Sequence, residues 1–172
     1  MDVVKAPNPK LRIKTKPVKK VTPGLLETIR EMVKVTEAFK DPEGVGLAST
    51  QVGLGERFFV AKQGKKFITC FNPQIISSSP KQKVFFEGCL SIPNYYGEVK
   101  RPISITVSYL DEEGKKITKR LAGLTAWVFQ HEMDHLNGKL FVDRVLEQNG
   151  RMFKSMGKNK EGSEVFEEVK LA

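Results

Sequence analysis

The stretch "LTAWVFQHEMDHLNG" at residues 124–138 has the spacing of a helix with one inward-facing stripe. Apolar residues recur at intervals of three and four positions, and two histidines continue the same row. The stripe comprises Leu124, Trp127, Val128, His131 and His135. Gly138 is a natural stop for such a helix. We therefore predict a helix from about Leu124 to Asn137 that points both histidines towards the protein interior.

The rest of the chain indicates how this helix is surrounded. A second helical pattern lies at residues 22–41, where Thr22 can cap the first turn and Pro23 suits its first position. Between the two helices, short β-rich runs such as "RFFVA", "KFITCF" and "KVFF" alternate with Gly, Pro and Ser. "RPISITVSYL" and "KKITKRL" predict a hairpin. The predicted fold class is α+β, with short antiparallel strands packed around the C-terminal-half helix and an additional N-terminal helix.

The histidine pair indicates metal chemistry. His131 and His135 are the 2 histidines of the chain, and Glu132 directly follows the first. Two imidazoles at i and i+4 of a helix point the same way and can bind one metal ion. A divalent ion lowers the pKa of a bound water, and Glu132 can accept its proton. The motif therefore predicts metal-assisted hydrolysis of a carbonyl compound.

A third protein ligand would leave one coordination position open for the reaction. A downstream carboxylate, as in zincin-type metallo-endopeptidases, could come from Glu147, Glu161 or Glu164. A thiolate could come instead from Cys89 in "FFEGCLSIP", where Gly88 allows a turn or a close backbone approach. The spacing of these residues leaves both alternatives open.

Three segments together resemble the signature motifs of the peptide deformylase family. They are "GVGLASTQVG" at 44–53, "EGCLS" at 87–91 and "QHEMDHLNG" at 130–138. Their order and gaps are similar to those of the compact bacterial type, and the resemblance extends over about residues 3–146. It implies a metal-dependent hydrolase that removes the formyl group from the N-terminal N-formylmethionine of newly synthesised polypeptides and releases formate.

The resemblance also implies roles for individual residues. The implied metal ligands are Cys89, His131 and His135. Glu132 would be the acid–base residue, and Gln51 with the backbone N–H of Leu90 would bind the formyl oxygen. Preorganised donors suit that oxygen because it gains negative charge during attack. The ligand set suits one divalent ion: Zn²⁺, Co²⁺ and Ni²⁺ are chemically acceptable, and the resemblance favours Fe²⁺.

Further residues are expected to contact the substrate. The Gly-rich loop at 44–46 would let an extended peptide approach closely and pair like an added strand. The methionine side chain would need a long apolar pocket. The substrate-binding residues that we expect are Gly44, Val45, Gly46, Glu87, Trp127 and Val128.

Two positions after the cysteine motif depart from the family pattern. The family commonly has a glycine and an arginine where Asn94 and Tyr96 stand. An arginine could form charge-assisted hydrogen bonds with a bound peptide, whereas tyrosine offers one neutral hydroxyl and a ring face. We therefore expect a preference for apolar or aromatic residues after the methionine.

Composition limits the class of protein and the cellular compartment that we expect. The chain has 172 residues, of which 40% are hydrophobic and 28% charged, as in an ordinary globular protein. No apolar run is long enough for a membrane span and no signal-peptide pattern is present, so we expect a cytoplasmic protein, with an organelle as the other compatible compartment. We assign 1–150 to a single catalytic domain and 151–172 to a loosely ordered C-terminal tail.

The formal charge of +9 is concentrated near the two ends. The basic segments are 10–20 and 151–160. They predict weak contact with ribosomal RNA, and the alternative is that both segments are simply solvated. The expected partners are thus N-formylmethionyl nascent peptides and the ribosome, with no membrane.

Overall fold

A computed structural model of the chain describes residues 1–40 and 42–170. The helices are α1 Pro23–Ala38, α2 Gly123–Leu136 and α3 Phe141–Glu147. The strands are β1 Gly46–Ala48, β2 Phe58–Gln63, β3 Lys66–Ser78, β4 Gln82–Cys89, β5 Ile92–Pro102, β6 Ser104–Leu110, β7 Lys116–Ala122, β8 Met152–Lys158 and β9 Glu164–Val169. Every strand pairing is antiparallel, and the predicted α+β class is confirmed.

The strands form two sheets, one in the order β1-β2-β3-β6-β7 and the other in the order β4-β5-β8-β9. Helix α2 packs on the first sheet, where the ring of Phe129 meets that of Phe59 edge-on at a centroid distance of 4.9 Å. Cys70 is fully buried in the same core, as a small apolar residue would be. Strands β1 and β4 are edge strands, and both lie beside α2.

The start of α1 and the end of α2 follow the predicted signals, whereas α1 ends at Ala38, earlier than its pattern predicts. Thr22 Oγ1 accepts a hydrogen bond from the N–H of Leu25 at 3.1 Å, which caps α1. Helix α2 ends one residue before Asn137, and Gly138 follows with φ of 74°, a left-handed conformation that favours glycine. None of the described helices is long and apolar enough to cross a bilayer.

The C-terminal segment differs from the loosely ordered tail that its composition suggests. Residues 152–158 and 164–169 form a hairpin that pairs with β5, with Tyr96 opposite Phe153 and Gly97 opposite Met152. Met152 is buried against Val99 and Val145, whereas the charged residues of the hairpin are exposed. The many charged residues of this segment therefore make the apolar face of its strands difficult to recognise from the sequence.

Gly44 is held against the end of α1. Its N–H donates to the carbonyl of Phe39 at 3.1 Å, and a Cβ at this position would lie 2.0 Å from the carbonyl oxygen of Thr36. Side chains cannot occupy that space, because the neighbouring atom belongs to helix backbone. The glycine thus fixes the loop that leads into β1.

Gly44→Ala is therefore expected to force a backbone shift and to lower the free energy of unfolding by about 1–3 kcal/mol. Gly55→Ala is the matched control, because a Cβ there would meet no atom within 4 Å. Urea denaturation of both variants tests the expectation. Equal stabilities for the two variants would contradict it.

Candidate active site

Three potential metal ligands converge between β4 and α2. Cys89 is the last residue of β4, and a register shift between Gly88 and Cys89 interrupts the pairing with β5 at this point. The thiol lies 3.3 Å from Nε2 of His135. One ligand atom from each of Cys89, His131 and His135 lies within 4.8 Å of the others.

A buried carboxylate orients the first histidine. Nδ1 of His131 lies 2.8 Å from Oε1 of Glu87, which leaves Nε2 for the ligand cluster. Arg101 also binds Glu87, with 3.0 Å from Nη2 to Oε1. Burial alone would raise the pKa of Glu87, but the hydrogen bonds from His131 and Arg101 prevail and hold this pKa at about 2. The carboxylate is therefore charged and can fix the imidazole tautomer.

The ion pairs continue through the helix that carries the histidines. Asp134 accepts from Nη1 of Arg101 at 3.0 Å and from Nη2 of Arg144 at 2.8 Å. These contacts connect β5, α2 and α3 through buried or half-buried side chains. Glu87, Arg101 and Asp134 are all buried.

The carboxylate of Glu132 is buried beside the histidines. Its Oε1 lies 4.0 Å from Nε2 of His135 and has no hydrogen-bond partner among the described residues. Burial raises the pKa of Glu132 to about 7. A buried thiol and two imidazoles form a donor set that fits a divalent ion, and the carboxylate of Glu132 lies beside it.

Gln51 directs its amide towards the same cluster. Its Oε1 accepts from the N–H of Ala48 at 2.9 Å, so the NH₂ group is turned to the site. Nε2 lies 3.1 Å from Oγ of Ser91 and 3.5 Å from Sγ of Cys89. Leu90 follows in the tight turn after Cys89 and lines the same cavity.

A cavity of about 280 Å³ opens in front of these groups. Four of the six expected substrate-binding residues line it: Val45, Gly46, Trp127 and Val128. Trp127 also stacks on Phe85 at a centroid distance of 5.1 Å.

Gly44 and Glu87 do not line the cavity, so their assignment to substrate binding is corrected. Gly44 is buried against α1, and Glu87 is fully buried behind His131. The two residues support the site from outside the space that a substrate would enter.

The two positions that depart from the family pattern have clear structural settings. Asn94 has φ of 70°, in the left-handed region where glycine is favoured and asparagine is the common alternative. The ring of Tyr96 lies on Gly88, because a Cβ on that glycine would be 2.7 Å from Cε1 of the ring. Tyr96 also lines the cavity.

The carboxylates considered as alternative third ligands lie elsewhere. Glu147 Oε1 accepts from Nζ of Lys139 at 2.8 Å on the surface, and Glu164 accepts from Oγ of Ser155 at 3.2 Å. Glu161 lies in the exposed turn between β8 and β9. Across residues 1–40 and 42–170, the one group of at least three side chains placed to share an ion is Cys89, His131 and His135.

Sequence reasoning did not identify Arg101, Asp134 or Phe86 as residues of the site region. Asp134 stands inside the histidine motif, and an acid on the inward side of a helix is a usable signal. Arg101 and Phe86 carry no comparable signal, because their roles depend on strand pairing.

The fold and the site together define a class of α+β hydrolases in which an HExxH helix and a cysteine-bearing strand face one cavity. The chain belongs to the polypeptide deformylase family, whose model matches residues 1–151. The resemblance seen in the three motifs is thereby confirmed.

Individual relatives agree with this membership. A peptide deformylase of Rhizobium meliloti (strain 1021) is 42% identical over 144 residues, which cover 81% of each chain. The crystal structure of peptide deformylase from Thermotoga maritima aligns with a TM-score of 0.78 at 40% identity, over 83% of this chain and 95% of that chain. A peptide deformylase from Synechococcus elongatus in complex with actinonin gives 0.80 at 39% identity, over 87% and 82%.

Arg101→Met is expected to lower the free energy of unfolding by about 3–5 kcal/mol, because it leaves the buried carboxylates of Glu87 and Asp134 without the arginine that pairs with both. Arg151→Met is the matched control: it removes an Arg–Glu pair with Glu98 in which the arginine side chain is 61% exposed, and such pairs contribute about 1 kcal/mol or less. Chemical denaturation of both variants measures the difference.

The pH dependence provides a second readout. A carboxylate whose pKa is lowered in the folded state stabilises the fold above its unfolded pKa, and this contribution is lost as the pH falls through the folded pKa. The wild-type protein should therefore lose the Glu87 contribution between about pH 4.5 and pH 2. In Arg101→Met the folded pKa of Glu87 should rise, so its contribution above pH 4.5 should be smaller and the destabilised variant should unfold at a higher pH. An unchanged acid-unfolding midpoint would contradict this.

Proposed function

We propose that this chain removes the formyl group from N-formylmethionyl nascent peptides and releases formate, with one divalent ion held by Cys89, His131 and His135. The observation that carries this proposal is the convergence of these three side chains beside the buried carboxylate of Glu132, at a cavity that Cys89, His131 and Glu132 line. A bound divalent ion would supply Lewis acidity at the formyl oxygen and lower the pKa of the attacking water.

Fe²⁺ is the ion that we propose for the resting enzyme. One thiolate and two imidazoles also accept Zn²⁺, Co²⁺ or Ni²⁺, and the family resemblance is the reason for preferring iron. Purification without oxygen, followed by metal analysis and activity measurement on the same sample, tests this assignment.

Glu132 would move the proton. Its buried carboxylate can accept a proton from the attacking water and then donate it to the leaving amine. Burial raises the pKa of Glu132, which makes its carboxylate a better proton acceptor than an exposed one.

Gln51 and Leu90 would stabilise the charge that develops on the formyl oxygen. The amide of Gln51 is held by the N–H of Ala48, so its donor end is oriented before substrate binds. The backbone N–H of Leu90 would supply a second donor from the turn after Cys89. Fixed donors of this kind favour the tetrahedral transition state over the planar substrate.

The substrate peptide would lie extended between the two sheets. Residues of the edge strands β1 and β4 line opposite sides of the cavity, among them Gly46 and Gly88. Their strands can accept a third chain by backbone hydrogen bonding. Val45, Trp127 and Val128 would surround the methionine side chain.

Formate release from formyl-Met-Ala-Ser, with casein proteolysis measured in parallel, tests the proposed function against the endopeptidase alternative. We expect formate and no casein fragments. Casein cleavage without formate release would favour an endopeptidase.

Variants at the site should separate metal binding from proton transfer. Glu132→Gln should retain the ion but lose about 100- to 10,000-fold in turnover, because an amide cannot carry the proton. Cys89→Ala should lose the ion as well as activity. Cys70→Ala is the matched control, since this second cysteine is buried in the core away from the cluster.

Metal content and formate release are measured on the same samples. Near-normal turnover in Glu132→Gln would remove this residue from the mechanism. Full metal content in Cys89→Ala would remove the thiol from the ligand set.

We further propose that the exposed basic segment at 10–20 contacts ribosomal RNA. In the C-terminal basic segment, Lys154 lies opposite Glu167 in the strand register of the hairpin, and Lys158 lies opposite Glu164. These glutamates lower the local positive charge of the segment. The lysines of 10–20 are exposed and have less acidic surroundings in sequence. The cytoplasm, or an organelle that makes formylated chains, is the compartment that this role requires.

Replacement of Lys14, Lys19 and Lys20 by glutamine should weaken co-sedimentation with ribosomes and flatten its dependence on salt, by a slope of about one for each lost phosphate contact. Replacement of Lys154 and Lys158 is the control and should have a smaller effect. The proposal would be contradicted if the protein did not co-sediment with ribosomes at low salt, or if replacing Lys14, Lys19 and Lys20 left binding unchanged. The segment at 10–20 would then simply be solvated.

A further inference from the structure

The hairpin formed by β8 and β9 begins where the match to the family ends, at residue 151. It nevertheless extends the sheet that carries Cys89, because β8 pairs directly with β5. Its two faces have different neighbours: Met152 packs inward against the core, and the next residue, Phe153, faces the opposite way.

Four rings cover the outer face of this sheet, and we refer to them as the aromatic wall: Phe86, Tyr96, Phe153 and Phe166. Phe86 stacks on Tyr96 at a centroid distance of 5.4 Å. Phe166 of β9 meets both rings edge-on, at 5.1 Å from Phe86 and 5.3 Å from Tyr96. Phe153 lies 5.5 Å from Phe86. The hairpin thus supplies half of the wall.

The other half of the aromatic wall lines the candidate active site. Phe86 and Tyr96 both border the cavity that contains Cys89 and Glu132. The ring of Tyr96 packs against Gly88 and is contacted edge-on by the ring of Phe166. Its ring position is therefore set jointly by the cysteine motif and by the hairpin.

A second cavity, of about 290 Å³, continues from the first past Tyr96. The two cavities share Pro42, Cys89, Leu90 and Tyr96 as lining residues. Ser155, Lys158 and Glu164 of the hairpin line the second cavity. A peptide that leaves the methionine pocket in this direction would pass over Tyr96 and then along the hairpin residues that line the second cavity.

We propose that the hairpin determines which residue is accepted after the methionine, with Phe166 as the positioning residue that holds Tyr96 and Phe86 in place. This inference rests on the proposed deformylation of N-formylmethionyl peptides. An apolar or aromatic second side chain packs on a ring surface that is ordered before binding, so little conformational freedom is lost. A small polar side chain gains nothing from the same surface.

The test compares kcat/KM for formyl-Met-Phe-Ser with that for formyl-Met-Ser-Ser, and uses the ratio of the two as its readout. The wild-type protein should favour the phenylalanine peptide. Phe166→Ala should lower the ratio about three- to tenfold, mainly through a higher KM for that peptide, because the ring contacts that hold Tyr96 are lost. Phe166→Tyr should preserve the ratio.

Val165→Ala is the matched control, since Val165 is the preceding residue of β9, is 41% exposed and points to the other face. It should leave the ratio unchanged. The ratio compares two substrates of the same sample, so a smaller folded fraction in any variant cancels.

A double-mutant cycle tests whether Phe166 changes the ratio through its contact with Tyr96. If Phe166 acts by holding Tyr96, adding Phe166→Ala to Tyr96→Ala should change the ratio by much less than Phe166→Ala does alone. Full additivity of the two changes would overturn the positioning role.

The outcomes separate this inference from the proposed function. A wild-type protein that releases formate from neither peptide would overturn both. A wild-type protein that hydrolyses both peptides, with a ratio that Phe166→Ala does not alter, would overturn the role of the hairpin alone.

Discussion

The carboxylate of Glu87 is the constraint on which the arrangement of the site depends. A fully buried charge is strongly unfavourable unless it is paired and hydrogen-bonded. Glu87 meets this condition through Arg101 on the neighbouring strand and His131 on α2. Strands β4 and β5 and helix α2 therefore cannot shift independently without leaving a charge unpaired. The orientation of one ligand histidine is a direct consequence of this pairing.

The position of α2 between the two sheets explains why the site lies at their edges. Phe129 anchors the helix on the first sheet, while the imidazole of His131 faces the second. The gap between β1 and β4 is the cavity, and both strands are edges of their sheets. An exposed edge strand is ordinarily a liability for aggregation. Here β1 has only 3 residues, and residues of both edge strands line the cavity.

The sequence predicted those parts of the fold whose patterns are long and regular. Helix α2 has a clear stripe, and the hairpin of β6 and β7 alternates apolar and polar residues around Ile105 and Val107. Helix α3 has 7 residues, which is too short for a periodic pattern. Strand β5 contains Pro93, Asn94 and Gly97, which are typical of loops, and the β8–β9 hairpin is masked by its charges.

The site was predictable to the extent that its chemistry is local in sequence. His131, Glu132 and His135 share one helical turn, and Cys89 required a motif because it lies on a separate strand. Arg101 was not predictable, because its partners Glu87 and Asp134 lie 14 and 33 residues away and meet only after the sheet forms. The requirement for a glycine at position 44 was also not predictable, because it arises from contact with the backbone of α1.

Gly46 and Gly88 both line the cavity, and they show why the sequence motifs require residues without a side chain. A Cβ at Gly46 would lie 2.6 Å from Oε2 of Glu132, and a Cβ at Gly88 would lie 2.7 Å from the ring of Tyr96. The first glycine leaves room for the carboxylate of Glu132, and the second leaves room for the ring of Tyr96. Any side chain at either position would displace a group that lines the cavity. The two glycines therefore shape the cavity through the space they leave, whereas Cys89, His131 and His135 contribute through their donor atoms.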